Sequence, residues 1–182
     1  IGELANTLND MGANIEYLEK QGYPPLKFHP VDLTTFKRKI SIKSTISSQY
    51  ITALLMIGPS LPNGLELTMI GEVISRPYID MTLAMMRHFG IASDWVDDKI
   101  TIEPQSYQAN HLFVEGDWSA ASYYYSLAAI AEHADLRLYG VTQQSLQGDA
   151  AIADIGRLFN VHTTYHSDHV HLIKTNDPLP DH

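Results

Sequence analysis

The chain has 182 residues, 45% of them hydrophobic and 18% charged, a composition that supports a folded core and argues against a disordered chain. Its net charge of −9 argues against sequence-independent nucleic-acid binding, which needs a basic face to displace counterions. Cysteine is absent, which removes a disulfide framework, a thiolate nucleophile and a cysteine-based zinc site and fits the cytoplasm.

No apolar run approaches the ~18 residues that a membrane-spanning helix needs, so no membrane partner is expected. No basic-then-apolar leader opens the sequence, and both ends read as cut from something longer. From the start, Leu4, Leu8 and Met11 have helical spacing over Gly2 to Met11, with Gly12 as the stop. Ile15 to Leu18 and Leu26 to Phe28 read as short strands around a Gly/Pro turn. Lys39 to Lys43 alternates as a half-buried strand does, and Ser47 opens an apolar helix over Tyr50 to Ile57 that Pro59 stops. Leu65 to Ile70 is the next strand, Gly71 to Ser75 a loop, and Pro77 to Phe89 an amphipathic helix closed by Gly90. Ser93 to Val96 and Lys99 to Ile102 form strands around Asp97-Asp98.

The same order then recurs. His111 to Val114 is expected as a strand, Ser119 to Glu132 as a helix, Leu136 to Tyr139 as a strand and Asp149 to Phe159 as a helix. Val161 to Tyr165 and His169 to Ile173 then make a hairpin. Aligning Tyr50 with Tyr123 gives an offset of 73 and Gly71 with Gly140 gives 69. The chain thus reads as α/β, with one partial and two full βαβαββ units that share a core by stacking. Chance alternation of helix and strand is the plainer alternative.

Two clusters carry chemistry. Ser47, Ser48 and Gln49 stand where a strand hands over to a helix, whose first-turn N–H groups and dipole favour an anion. Ser75, Arg76 and Tyr78 stand at a second helix start, with Pro77 in the first turn, where its missing N–H costs nothing. The bland reading of both is N-capping by serine. If both open on the same side of one sheet, ligands gather there, beyond the strand ends. Lys37, Arg38, Lys39 and Lys43 could raise the local potential, or could simply protect a strand edge. His162, His166, His169 and His171 lie close in sequence but in a hairpin, without the helical spacing of a zinc motif, so no metal is expected. A Ser/His/Asp triad has no Gly-x-Ser-x-Gly elbow to support it, and no glycine-rich nucleotide loop is present.

Ser47-Ser48-Gln49-Tyr50-Ile51-Thr52-Ala53-Leu54-Leu55-Met56 resembles the shikimate-3-phosphate-binding helix of the 5-enolpyruvylshikimate-3-phosphate synthase family. Ser75-Arg76-Pro77-Tyr78-Ile79-Asp80-Met81-Thr82-Leu83 resembles its second substrate element, with Arg76 at a position that is Lys or Arg in the family. Gln105-Ser106-Tyr107, Val114-Glu115-Gly116-Asp117, Ser119-Ala120-Ala121-Ser122-Tyr123 and Leu146-Gln147-Gly148-Asp149 follow in the family's order and spacing. Lys43-Ser44-Thr45-Ile46 departs from a Gly-containing approach, and Trp118 stands where a small residue is common and could fill a domain contact.

The resemblance implies an enolpyruvyl transferase fold, an inside-out α/β barrel, here incomplete. Residues 1–114 would belong to the phosphoshikimate-binding domain, and 115–182 would begin the second domain. It implies transfer of the enolpyruvyl group of phosphoenolpyruvate to the 5-hydroxyl of shikimate 3-phosphate, without metal or organic cofactor. Ser47 and Ser48 would hold the 3-phosphate, Gln49 would contact the ring and lie near phosphoenolpyruvate, and Ser75 and Tyr78 would complete the contacts, with Arg76 less direct. The family's acid–base carboxylates, its basic clamp on phosphoenolpyruvate and its glycine-rich loop match nothing here. No catalytic residue is therefore expected in these residues, and they should be inactive without the remainder of their own chain. Two alternatives remain. One is the sister transferase acting on UDP-N-acetylglucosamine, whose catalytic cysteine has no counterpart here. The other is a non-catalytic α/β binding scaffold.

Overall fold

Alternating Ile40 and Ile42 bury one face of Lys39–Lys43, and the β-rich run Leu65–Ile70 buries Leu65, Leu67 and Met69. A computed structural model describes residues 1–45 and 47–175 and pairs these two strands in parallel. In chain order the regular elements are α1 (Gly2–Met11), β1 (Ile15–Tyr17), β2 (Leu26–Phe28), β3 (Lys39–Lys43), α2 (Ser48–Ile57), β4 (Leu65–Ile70) and α3 (Arg76–His88). They continue with β5 (Asp94–Val96), β6 (Lys99–Ile102), α4 (Trp118–Ile130), β7 (Asp135–Tyr139), α5 (Ile152–Arg157), β8 (Val161–Tyr165) and β9 (His169–Lys174). The chain divides into two compact units, Ile1–Asn110 and the residues from His111 onward.

In the first unit, β3-β4-β6-β5 make a four-stranded sheet, parallel between β3 and β4 and antiparallel elsewhere. A parallel pair needs a crossover, and α2 supplies it. Ile51, Leu54 and Leu55 of α2 and Ile79, Leu83 and Met86 of α3 join the strand residues in one aliphatic core. α1 ends at Gly12, whose φ of +126° suits a residue without a side chain. Its Met11 is fully buried in that core, and the Met11 carbonyl accepts the Lys37 N–H at 2.8 Å. β1 and β2 form a separate antiparallel pair.

The second unit has the sheet order β7-β9-β8, all antiparallel. This repeats β4-β6-β5 of the first unit, so the unit read from the sequence is visible twice. Among the described residues the second copy has one strand fewer. His111 to Val114 forms no strand, because a strand exists only where its backbone is paired in a ladder. β7 bonds to β9, no described strand lies on its other side, and Phe113 and Val114 stay about four-fifths exposed. What remains of the approach is one bond, from the Gly116 N–H to the Gly140 carbonyl at 2.6 Å.

The expected helix over Asp149 to Phe159 is also shorter. A 3₁₀ turn over Gly148–Ala151 leads into α5, which ends at Arg157. Gly156 sits where a Cβ would come within 3.0 Å of the Tyr125 ring. The chain then tightens through i→i+3 bonds to Asn160, whose φ is +59°. Trp118 does not wait for another domain: it is fully buried in the second unit's own core with Tyr125, Val161, Val170 and Leu172.

Candidate functional site

Because β3 and β4 run parallel with Lys43 opposite Ile70, their C-terminal ends lie side by side. Both chains leave the sheet there and enter helices, α2 after Ser47 and α3 after Ser75. The two exits are stitched together. The Ser44 N–H and its hydroxyl each donate to the Ile70 carbonyl at 3.0 Å, and Ser44 is buried. Gly71 follows at φ +95°, where a Cβ would come within 3.0 Å of the Ser44 Oγ, so the tight approach needs glycine. Past these exits, α2 and α3 share the core of the same unit.

Ser47, Ser48 and Gln49 form the start of α2, and Ser75, Arg76 and Tyr78 the start of α3. The strand directions therefore bring both clusters to one end of the parallel pair. Ser48 and Ser75 are half-buried, while Ser47, Gln49 and Tyr78 are exposed. Neither Ser47 nor Ser75 caps its helix with its side chain, and neither first turn holds an acidic residue. Plain capping is therefore not what these serines do. Two uncapped helix starts, free of carboxylates in their first turns and edged by hydroxyls and an amide, are suited to an anion with several hydroxyl groups.

Arg76 points elsewhere. Its guanidinium lies 4.2 Å from the ring centre of Trp95, and its Nε is 3.5 Å from an Asp80 carboxylate oxygen. Two members of the basic cluster are committed at the other end of the strands. Arg38 pairs with Glu103 and donates to the Asn63 carbonyl at 3.1 Å. That pairing holds the Glu103 carboxyl below its ordinary range. Lys39 lies 3.3 Å from Glu66, which Lys99 also approaches. β3 is a sheet edge, so charge there discourages further pairing. Lys43, at the C-terminal end of β3, is the member of the cluster nearest the two helix starts.

The histidines behave as hairpin residues. His166 stacks on His169 with centroids 4.4 Å apart and planes 12° from parallel, a face-to-face arrangement that does not converge nitrogens on one point. His169 bonds Asp168 and His171 bonds Asp135, each at 2.7 Å. The His169 bond holds the Asp168 carboxyl below its usual range. Among the described residues no group of three or more His, Asp or Glu could hold a metal ion, and no helix is long and apolar enough to cross a membrane.

Sequence reasoning missed Ser44, Gly71 and Trp95. A Gly directly after an apolar strand was the signal for the tight exit at Gly71. Nothing in the sequence paired Trp95 with Arg76, because that contact joins β5 to the start of α3 across the full length of the helix.

The family model for EPSP synthase (3-phosphoshikimate 1-carboxyvinyltransferase) matches residues 1–179. A 3-phosphoshikimate 1-carboxyvinyltransferase of Bacteroides fragilis is 45% identical over 172 residues, covering 94% of this chain and 42% of the relative. One from Haemophilus ducreyi is 41% identical over 158 residues, covering 85% and 35%. The chain thus spans about two-fifths of the length of these relatives. Among solved structures, EPSP synthase from Acinetobacter baumannii has the same fold, with a TM-score of 0.63 at 20% identity over 94% of this chain and 38% of that one.

Proposed function

The chain belongs to the EPSP synthase family, and on that premise we propose that the protein containing these residues transfers an enolpyruvyl group from phosphoenolpyruvate to the 5-hydroxyl of shikimate 3-phosphate. The 5-hydroxyl loses its proton as its oxygen adds to the enol carbon, and the methylene carbon takes a proton to become a methyl group, giving a tetrahedral intermediate. Elimination then removes a proton from that methyl group, restores the carbon–carbon double bond and expels phosphate.

The observation that carries the reading is the pair of helix starts at one end of β3 and β4, uncapped by side chains and without acidic residues in their first turns. Ser47 and Ser48 donate to the 3-phosphate. Gln49 spans the ring and the enolpyruvyl donor, and Ser75 and Tyr78 complete the ring and phosphate contacts. Fixed backbone and hydroxyl donors suit a small polyanion, because they are oriented before it arrives.

The reaction's acid–base groups and its clamp on phosphoenolpyruvate lie outside these residues, so residues 1–182 alone have no turnover. Residues 1–114 belong to the phosphoshikimate-binding domain and 115–182 begin the second domain, with the cytoplasm as the compartment. Supplying the intact protein with phosphoenolpyruvate and either shikimate 3-phosphate or UDP-N-acetylglucosamine tests the reading. Phosphate release with shikimate 3-phosphate alone is expected. Release only with the nucleotide sugar contradicts it.

A further inference from the structure

We propose that Arg76 is a positioning residue: Trp95 and Asp80 hold its guanidinium away from the ligand, and through it they fix the first turn of α3. The inference rests on the shikimate 3-phosphate reading above and assigns how that site is held.

Two groups engage the guanidinium at once. Its central carbon lies 4.2 Å from the Trp95 ring centre, and its Nε lies 3.5 Å from Asp80, one turn further along α3. To reach a phosphate it would have to leave both. The Trp95 platform is itself fixed. It sits in β5 directly opposite Ile100, which is fully buried, and packs at the margin of the core. Its indole N–H donates to the Asp97 carbonyl at 3.0 Å.

The first turn of α3 needs such a tether. It follows the loop from Gly71, and Ser75 at its start makes no side-chain cap. Ser75 precedes Arg76 directly and Tyr78 follows two residues later, so slack at Arg76 reaches both proposed ligand contacts. The stack ties that turn to the β5–β6 hairpin, on the side of the sheet away from edge strand β3. Substrate phosphate is then met at α3 by backbone N–H groups and neutral hydroxyls.

A tether can cost no more than its own contact is worth, whereas a buried charge on substrate phosphate costs far more. The intact protein carrying Arg76→Met, Trp95→Leu or both separates the two. Each single variant and the pair should raise KM for shikimate 3-phosphate by the same ~2- to 5-fold, with kcat unchanged. The dependence of KM on ionic strength should match that of the parent. Trp95→Phe, which keeps a ring face, should restore KM, and it guards against a fold defect in Trp95→Leu.

A loss of about 30-fold or more for Arg76→Met with Trp95→Leu unaffected would mean a direct contact and overturn the proposal. Unchanged KM in every variant, or losses that add in the pair, overturn it as well. The stack is tested without any substrate by the ring-current shift on the Arg76 side-chain protons, which should vanish in Trp95→Leu. If that shift is present and the parent protein does not turn over shikimate 3-phosphate, the substrate reading fails and the tether survives. If the shift is absent, the tether fails whatever the substrate.

Discussion

α2 and α4 hold corresponding places in the two βαβαββ units, yet their starts differ in charge. α2 begins at Ser48 with no side-chain cap and no acidic residue in its first turn. α4 begins at Trp118 behind Asp117, which accepts the Ser119 N–H at 2.8 Å, while Asp149 takes the Ser119 hydroxyl. One helix start leaves its first turn without a side-chain cap or a carboxylate, as the proposed anion site requires. The other has its own carboxylates on the Ser119 N–H and hydroxyl and the Gln147 side-chain oxygen on the Trp118 N–H, and the carboxylates would repel a phosphate. Matched by their helix starts, Ser47 corresponds to Asp117 and Ser48 to Trp118. A shared fold therefore does not repeat the site; the chemistry is set by a few residues at the helix start.

The cores differ in parallel. The first unit's core is built of aliphatic residues, Met and Phe, whereas the second depends on Trp118 and Tyr125. The largest effect is therefore expected at Trp118. Trp118→Ala should destabilise the second unit by about 3–5 kcal/mol in urea unfolding. Trp118→Phe should cost less, because the Nε1 N–H has no partner among the described residues and its loss is no penalty. Equal losses for both variants would show that the indole N–H finds an acceptor elsewhere.

Next is the ligand contrast. Ser48→Ala should raise the intact protein's KM for shikimate 3-phosphate by roughly 10- to 150-fold, the worth of a hydrogen bond to a charged group. Ser122→Ala in α4 removes only a bond to the Ser119 carbonyl and should leave KM unchanged. Comparable effects at the two serines would erase the distinction between the helix starts.

Alkaline pH sharpens the core contrast. Burial pushes the Tyr125 hydroxyl up to about 12 from 10.0. Its folded pKa lies above its unfolded one, so the stability it confers is complete below pH 10 and is lost as pH rises toward 12. The aliphatic core of the first unit has no tyrosine. Near-ultraviolet circular dichroism across that range should show the second unit loosening first.

The smallest effect is at the cap. Asp117→Ala should cost about 1 kcal/mol of stability, whereas Ser47→Ala, which removes no capping bond, should cost close to none. Thermal unfolding of the two variants makes the comparison.

Much of this was legible in the sequence. α1, β3 and β4 fall where their periodicity placed them, because the alternation of Ile40 and Ile42 and the helical spacing of Leu4, Leu8 and Met11 are local signals. His111 to Val114 carried a strand's residue types, but pairing is decided by a neighbour rather than by propensity. α5 was overextended because its Gly156 answers to Tyr125, a contact from another helix. The serines and Gln49 were visible as a motif at a helix start. Their lack of capping bonds was not, since a hydroxyl's partner depends on the loop's path past Ser44 and Gly71. Arg76 was read as a basic group near an anion, and only the fold reveals the ring it rests on.

The most direct test is to titrate shikimate 3-phosphate into the isotopically labelled intact protein and follow backbone amides. The account predicts saturable shifts concentrated at Ser47, Ser48, Gln49, Ser75 and Tyr78, with the α4 start at Asp117 to Ser119 unmoved. Shifts centred on α4, with the α2 and α3 starts silent, would contradict it.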